Sequence, residues 1–472
     1  MTEWMDDLTV RMNQIEQWIY APTHIPVILL GVGLLLTVMT GFVQVRRFPL
    51  AVRAMLAGRH APAGGEGMIT SFQALSTALA ATVGNGNIGG VATAILVGGP
   101  GAIFWMWVCG TIGMATKFAE ATLGVHYRVT RETGEMASGP MYYITRGIKN
   151  QALARPLAVA FAIFGTAAAL MGTGNMAQSN TVAQTFMEAG RTILGVDFPA
   201  WVPGLLITVS VGLVLLGGVK RIAAVAEKLV PSMIVLYVVS AIAYIVLNVT
   251  HLPAVLGLIL SHAFTPAAAM GGFVGASVAQ AVAAGISRGV LSNEAGLGSS
   301  PIAHGVARVD HPVQQGLVGI VEVFIDTILV CSMTAFIILS SEQWQDPAYQ
   351  AASGDLTAAS LATSIPGATL IVALCSFLFG FSTLLGWSYY GEKCAEFLLG
   401  PRVVVPYRIL FTILILVGAV IAVPLVWAIG TLLNAFMALP NLIGLFLLAG
   451  VVRRLANEYF ARSAPREQAG RA

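Results

Sequence analysis

Charge is what this sequence most lacks. Asp, Glu, Lys and Arg make up 10% of its 472 residues, against about 25% in an ordinary soluble protein. A soluble chain of this length could not cover its surface with so few. Acid is absent from Gly67 to Ala119, and Glu120 is the next one. That gap bears on "TVGNGNIGGVA", residues 82–92, which holds the letters Gly84-x-Gly86-x-x-Gly89. A dinucleotide turn needs a preceding strand and an acidic residue about 20 positions on for the ribose. Both are missing, so the nucleotide reading fails. Cysteine is also scarce: Cys109, Cys331, Cys375 and Cys394 are scattered and form no C-x-x-C pair, which removes a disulfide framework and a cysteine metal site. The seven histidines include no H-E-x-x-H, which removes the zincin signature. "MTEWMDDLTVRMNQIEQWIY" lacks the basic start and cleavage signal of a signal peptide; it reads as a short amphipathic helix lying on a membrane.

In place of charge the chain has apolar residues, 57% of the total, with a mean hydropathy of +0.80. Its 51 glycines suit close helix packing and interrupted helices in a bilayer. The composition points to a polytopic all-α membrane protein whose surroundings are lipid and which has no nucleic-acid partner. A crossing takes about 20 mostly apolar residues. Eleven spans are predicted: 24–45, 69–98, 101–125, 156–188, 202–218, 230–250, 270–298, 315–340, 368–398, 406–423 and 426–452. The longest of these must tilt or break. Lys and Arg set the direction. With the segment after the first span in the cytoplasm, cytoplasmic segments and the span ends that meet them (Lys393, Arg408) hold 21 of the 25 basic residues and outer segments only Arg11 and Arg191. The N-terminus is then outside and the C-terminus cytoplasmic.

Five spans in 68–250 are followed by five in 266–454. Before them comes an N-terminal segment, residues 1–67, that holds a surface helix, one extra span and a loop; after them comes a tail, 455–472. An odd number of spans inverts the second set relative to the first. The first member of each set is long and glycine-rich, and matching interrupted spans in two halves point to a transporter's binding site. Where glycines let a helix end, carbonyls of one half-helix and N–H groups of the next are freed. Carbonyls suit a small cation; N–H groups at a positive dipole end suit a carboxylate.

Four blocks carry a family resemblance: "SFQALSTALAATVGNGNIGGVATAI…GGPGAIFWMW", "SRGVLSNEAGLGSSPIAH", "GFSTLLGWSYYGEK" and "NAFMALPNLIGLFLL". Together they resemble the alanine/glycine:cation symporter family of bacteria and archaea, over about residues 24 to 455. The family's Gly-Thr-Gly-Asn stands here as Gly84-Asn85-Gly86-Asn87. The resemblance implies a leucine-transporter-like fold of two inverted five-helix repeats preceded by one extra helix. It also implies sodium-driven import of alanine, glycine or similar small neutral amino acids across the cytoplasmic membrane, with a proton as the coupling ion in some members. No cofactor beyond the coupling ion is implied, and no catalytic activity.

Candidate site residues follow from the breaks and from polar groups within spans. Thr82, Asn85, Gly86 and Asn87 are expected to meet substrate, with N–H groups from Gly86 onward taking its carboxylate. The partner segment begins Gly271 to Gly275, with its carbonyls, Gly275 among them, on the substrate ammonium and Phe273, beside the break, as a wall. Ser277 and Gln280 follow on the same helix with weaker claims. Asn175 and Gln178 are three apart and share a helix face, as do Thr383 and Trp387 at four apart. By resemblance to the wider superfamily, Ser382 and Thr383 would complete a sodium site with carbonyls near Thr82, oxygen ligands suiting a hard cation. Trp387 would close over the substrate. Arg288 and Glu294 are read as an inner gate on the cytoplasmic half of the second broken helix. Glu322 and Asp326 share a face and are expected to pair with Lys117 or Arg288. Proton-coupled superfamily members can carry a membrane lysine in place of sodium; span 230–250 has none, with Lys228 only at its end. A hydrolase built on Ser299, Ser300 and His304 and a passive channel are the competing classes.

Overall fold

The computed structural model describes residues 11–469 except 13, 16, 17, 22, 61–64, 132, 133, 267–275, 350–352 and 422. Most of the predicted surface helix, together with Phe273 and Gly275, therefore lies outside the described residues. The described chain is mostly helical, with two-residue strand pairs as the exceptions. Its main helices are α1 (Ile25–Met39), α2 (Phe48–Ala57), α3 (Ser71–Thr82), α4 (Gly89–Gly98), α5 (Gly101–His126), α6 (Gln151–Met171), α7 (Met176–Ala189), α8 (Trp201–Leu215), α9 (Gly218–Leu247), α10 (Val278–Asn293), α11 (Pro312–Val323), α12 (Ser332–Ser341), α13 (Ala368–Leu399), α14 (Val404–Val420) and α15 (Val423–Ala469). Among the described residues, seven helical stretches are long and apolar enough to cross a membrane, or eight if the bent pair Ser71–Thr82 and Asn85–Gly98 is one span.

Among the described residues, three spans are interrupted. The first breaks between α3 and α4 with a bend of 57°. α3 starts on a capping box, Thr70 with Gln73; it ends where Val83 and Gly84 turn extended, and one 3-10 turn, Asn85–Asn87, leads to α4. The second interruption seen in the described residues was not expected from sequence. α10 is continuous from Val278 to Asn293 and is followed by a break from Glu294 to Ser300; Gly271 to Gly275, where the sequence placed the segment's opening, lies outside the described residues. Gly296 and Gly298 sit there at φ 92° and 84°, a region closed to most side chains. A Cβ on Gly298 would also lie 2.7 Å from Pro140 Cγ. The third break was not predicted: span 156–188 divides at Gly172 to Asn175, between α6 and α7. A fourth irregularity is a π-helical stretch, Phe324–Cys331, between α11 and α12.

Small residues set how closely the helices approach. A Cβ on Gly285 of α10 would lie 2.2 Å from the Ala102 carbonyl oxygen of α5. That is backbone and cannot swing aside. Gly285→Ala is expected to lower stability by about 1–3 kcal/mol through overpacking, read as an earlier thermal melt of the purified protein.

Candidate functional site

The first two breaks face one another across a narrow cavity of ≈ 30 Å³, room for about two waters by the measure in which one needs 10–15 Å³. Thr82, Gly84, Gly86 and Gly90 line it from the first broken span, and Arg288, Leu291 and Glu294 from the second. Thr173 and Gln178 enter from the third break and α7, Thr383 and Trp387 from α13, and Trp427 from α15. Of the residues expected at the site, Thr82, Gly86, Gln178, Thr383, Trp387, Arg288 and Glu294 are thus brought together.

Thr383 and Trp387 both line the cavity, from successive turns of α13. Thr383 Oγ1 is buried and has no hydrogen-bond partner. A Cβ on Gly84 would come within 2.6 Å of it, so the hydroxyl lies against the first break. Leaving a buried hydroxyl unpartnered costs about 1–3 kcal/mol. Thr82 Oγ1 is bonded back to the Ala78 carbonyl at 3.2 Å. Trp387 packs its indole on Gly174, whose Cβ would fall 2.4 Å from Cδ2. The indole Nε1 donates to Glu294 Oε1 at 2.7 Å.

Glu294 is the first residue of the second break. It is non-glycine yet left-handed, at φ 56° and ψ 16°, a strained state that persists where surroundings enforce it. Here Trp387 and Ser299 enforce it, each donating to one carboxylate oxygen. Both donors are neutral. The sequence placed Arg288 and Glu294 on the half-helix after the break. In the structure Arg288 is on α10 and Glu294 stands at the edge of the break that follows it.

The other expected residues hold the breaks in shape. Asn85 donates from Nδ2 to Gln178 Oε1 at 3.2 Å and accepts from Ser376 Oγ at 2.8 Å. Gln178 Nε2 in turn donates to the Thr173 carbonyl at 3.1 Å, linking the first and third breaks. Asn87 Oδ1 accepts from the Gly84 N–H at 2.9 Å, closing the turn on itself. Its Nδ2 donates to Asp326 Oδ1 at 2.7 Å and to Ser292 Oγ at 2.9 Å. Asn175 does not share a face with Gln178: the third break takes it off the helix, to φ −134° and ψ −81°, and its Nδ2 donates to the Phe411 carbonyl at 3.0 Å. Ser382 Oγ donates to the Phe379 carbonyl of its own helix at 2.9 Å. Asn85, Asn87, Asn175 and Ser382 are not among the described lining residues.

Buried charge surrounds the second break. Lys117 pairs with Glu322 at 3.2 Å, both fully buried, as expected for Glu322. Asp326 pairs with neither Lys117 nor Arg288 among the described residues. Its oxygens accept from Asn87, Ser292 and Thr327, and the wide π turn, a frequent functional feature, presents it to the first break. Lys117 also donates to Ser300 at 2.6 Å. Glu120 Oε1 accepts from the N–H groups of Gly296 and Gly298 at 3.2 and 3.0 Å. His304 is held by Glu322 at 2.7 Å and Gln315 at 2.6 Å. It is therefore not oriented as a base toward Ser299 or Ser300, as a hydrolase would require. Thr173, Trp427 and the bracing roles of Glu120 and Asp326 were missed from sequence; the letters Gly172-Thr173-Gly174-Asn175 were the available signal for the third break.

Known proteins similar to this chain are transporters. The chain is 44% identical to the sodium/alanine symporter AgcS of Methanococcus maripaludis, over 94% of this chain and 96% of that one. It is 37% identical to a putative sodium/proton-dependent alanine carrier, YrbD, of Bacillus subtilis, over 94% and 90%. Among solved structures, MhsT in complex with L-phenylalanine shares the fold with TM-score 0.55 at 14% identity, covering 84% of this chain and 99% of that chain. The model of the sodium:alanine symporter family matches residues 5–470. The chain is therefore a multi-pass membrane transporter and not an enzyme, and it belongs to the sodium:alanine symporter family.

Proposed function

We propose that this protein imports small neutral amino acids, alanine and glycine, by sodium-coupled alternating access. The observation that carries the reading is the convergence of two broken helices on one small cavity beside an unpartnered buried hydroxyl. The substrate carboxylate meets N–H groups from Gly86 to the start of α4, where the helix dipole is positive. Gln178 and Trp387 bound the space left for the side chain and so favour a hydrogen or a methyl group. Sodium takes Thr383 Oγ1, Ser382 Oγ and carbonyls near Thr82, all hard oxygen donors. Asn85, Asn87 and Asn175 shape the walls of the substrate site rather than its floor. Phe273 and Gly275 remain proposed substrate contacts from the second broken span. Arg288 and Glu294 form a gate across the cavity mouth.

The architecture proposed is eleven spans, two inverted five-helix repeats after one extra helix, with the N-terminus outside and the C-terminus in the cytoplasm of a bacterial cell. Contacts between distant segments support it. Ile69–Thr70 pairs in parallel with Ala307–Arg308, and Arg128 donates to the Ala307 carbonyl at 2.8 Å; all three segments are cytoplasmic in this scheme. Trp105 donates to the Ala263 carbonyl at 3.0 Å and Asn248 to Ser364 at 2.9 Å, both at the outer ends.

A proton-coupled variant of the same transporter is the second reading, favoured by Glu294 and Asp326, which have only neutral hydrogen-bond donors. Lys228 is exposed on α9, which speaks against a lysine taking the place of the ion. Uptake of labelled L-alanine into proteoliposomes separates the two. An inward sodium gradient is expected to drive accumulation, with lithium or choline in its place giving none. Accumulation driven by an imposed proton gradient in sodium-free buffer would favour the second reading. Equal uptake in all salts without accumulation would mean a passive channel.

A further inference from the structure

Far from the transport cavity, the chain leaves α1 through a left-handed turn. Gly41 and Phe42 stand at φ 66° and 57°, and the Phe42 N–H closes on the Thr37 carbonyl at 2.8 Å. The turn folds the next residues back, so that Arg46 and Arg47 face α15. With Arg453, Asn457 and Phe460 they enclose a cavity of ≈ 480 Å³, walled on its other side by Val38 and Met39. None of the described lining residues is acidic.

Basic residues are expected wherever a loop faces the cytoplasm, so their presence alone says little. Their state of pairing says more. Elsewhere on this face cations meet carboxylates: Arg131 with Glu396, Lys393 with Glu396 at 2.8 Å, and Arg408 with Glu392 at 2.6 Å. Arg454, next in sequence to the pocket, has Glu458 at 3.9 Å. Arg46 and Arg453 make no ion pair among the described residues. The Arg47 guanidinium lies 4.7 Å over the Phe460 ring, which fixes the plane of its donors. Beside the pocket, Val38, Phe42 and Val45 are 59%, 51% and 63% exposed. Such an apolar strip belongs against acyl chains, so the arginines sit where head groups begin.

We propose that this pocket binds the phosphate diester of an anionic lipid. Guanidinium forks match phosphate oxygens in bidentate pairs, and basic pockets between membrane helices on the cytoplasmic side suit lipid head groups. Val38, Met39 and the exposed strip would hold the first carbons of the acyl chains. A bound lipid would fasten the extra helix α1 to the C-terminal helix α15.

Native mass spectrometry of the purified, delipidated full-length chain tests this. It would be titrated with phosphatidylglycerol, phosphatidylcholine and inorganic phosphate in separate arms. Phosphatidylglycerol is expected to bind wild type about a hundredfold more tightly than the variant R46Q/R47Q/R453Q, each arginine near the surface accounting for about fivefold. R454Q should behave as wild type, and phosphatidylcholine should not distinguish the variants. Undiminished phosphatidylglycerol binding by the triple variant would overturn the proposal. So would inorganic phosphate displacing the lipid at equal concentration, which would make this a site for a free anion. If the triple variant does not fold, R453Q alone, at an exposed position, should weaken phosphatidylglycerol binding about fivefold; an unchanged affinity would equally overturn it.

Discussion

Thr383→Val is expected to raise the sodium concentration needed for half-maximal alanine uptake by about 10- to 100-fold, the worth of one hydrogen-bond-strength contact to a charged group. Valine keeps the shape of threonine, so the packing of α13 against Gly84 survives and only the oxygen is lost. Thr383 Oγ1 has no partner in the described structure, so its removal breaks no internal hydrogen bond. The variant should therefore fold and melt like wild type, or slightly higher. This combination of unchanged stability and lost sodium activation separates an ion ligand from a structural hydroxyl. A variant that melts early and keeps its sodium response would show that Thr383 is packing, and the sodium site would have to lie elsewhere.

Lys117→Met is expected to destabilise the protein by about 3–5 kcal/mol, because it leaves the Glu322 carboxylate buried without its cation. Lys117 and Glu322 are both fully buried at 3.2 Å, so no solvent contact relaxes the loss. The double variant K117M/E322Q should recover most of that stability. The amide oxygen introduced by E322Q would still accept from His304 Nε2, which now lies 2.7 Å from Glu322, so only the charges go. Thermal unfolding of both single variants and the double variant gives the coupling energy directly. If the double variant is as unstable as the sum of the singles, the pair is not an isolated ionic unit and the excess belongs to the network through Ser300 and Gln315. Transport by a folded double variant would place the pair in the scaffold around the second break rather than in the transport step.

Much of this was legible in the sequence, and the limits have physical causes. The first break was readable because Gly84, Gly86 and two asparagines interrupt an otherwise apolar span, and the structure breaks there between Val83 and Ile88. The break at Glu294 to Ser300 was not read because glycine letters do not say what a glycine is for. Gly285 is small so that α5 can approach, whereas Gly296 and Gly298 are glycine because their backbone is left-handed; only coordinates separate the two reasons. The same ambiguity hid the third break at Gly172 to Asn175. The Lys117–Glu322 pairing was one of those the sequence left open, since Lys117 and Arg288 were both candidate cations for Glu322 and Asp326. The partner of Asp326 was not among them, since a π-helical stretch has no sequence signature and turns Asp326 away from the cations toward Asn87. Of the polar residues expected at the cavity, Thr383, Trp387 and Gln178 reach it, while Asn85, Asn87 and Asn175 are spent on bracing, because freed backbone groups at a break must be satisfied before a ligand can be.

Coupling itself is tested most directly by running the transport cycle from the amino-acid side. Proteoliposomes would hold equal low concentrations of radiosodium inside and out, with L-alanine added outside only. A sodium symporter must then carry sodium inward and accumulate it above equilibrium, since the downhill flow of one cargo drives the other. The account predicts that accumulation for alanine and glycine, and its loss in Thr383→Val. Alanine entry with no net sodium movement would contradict it.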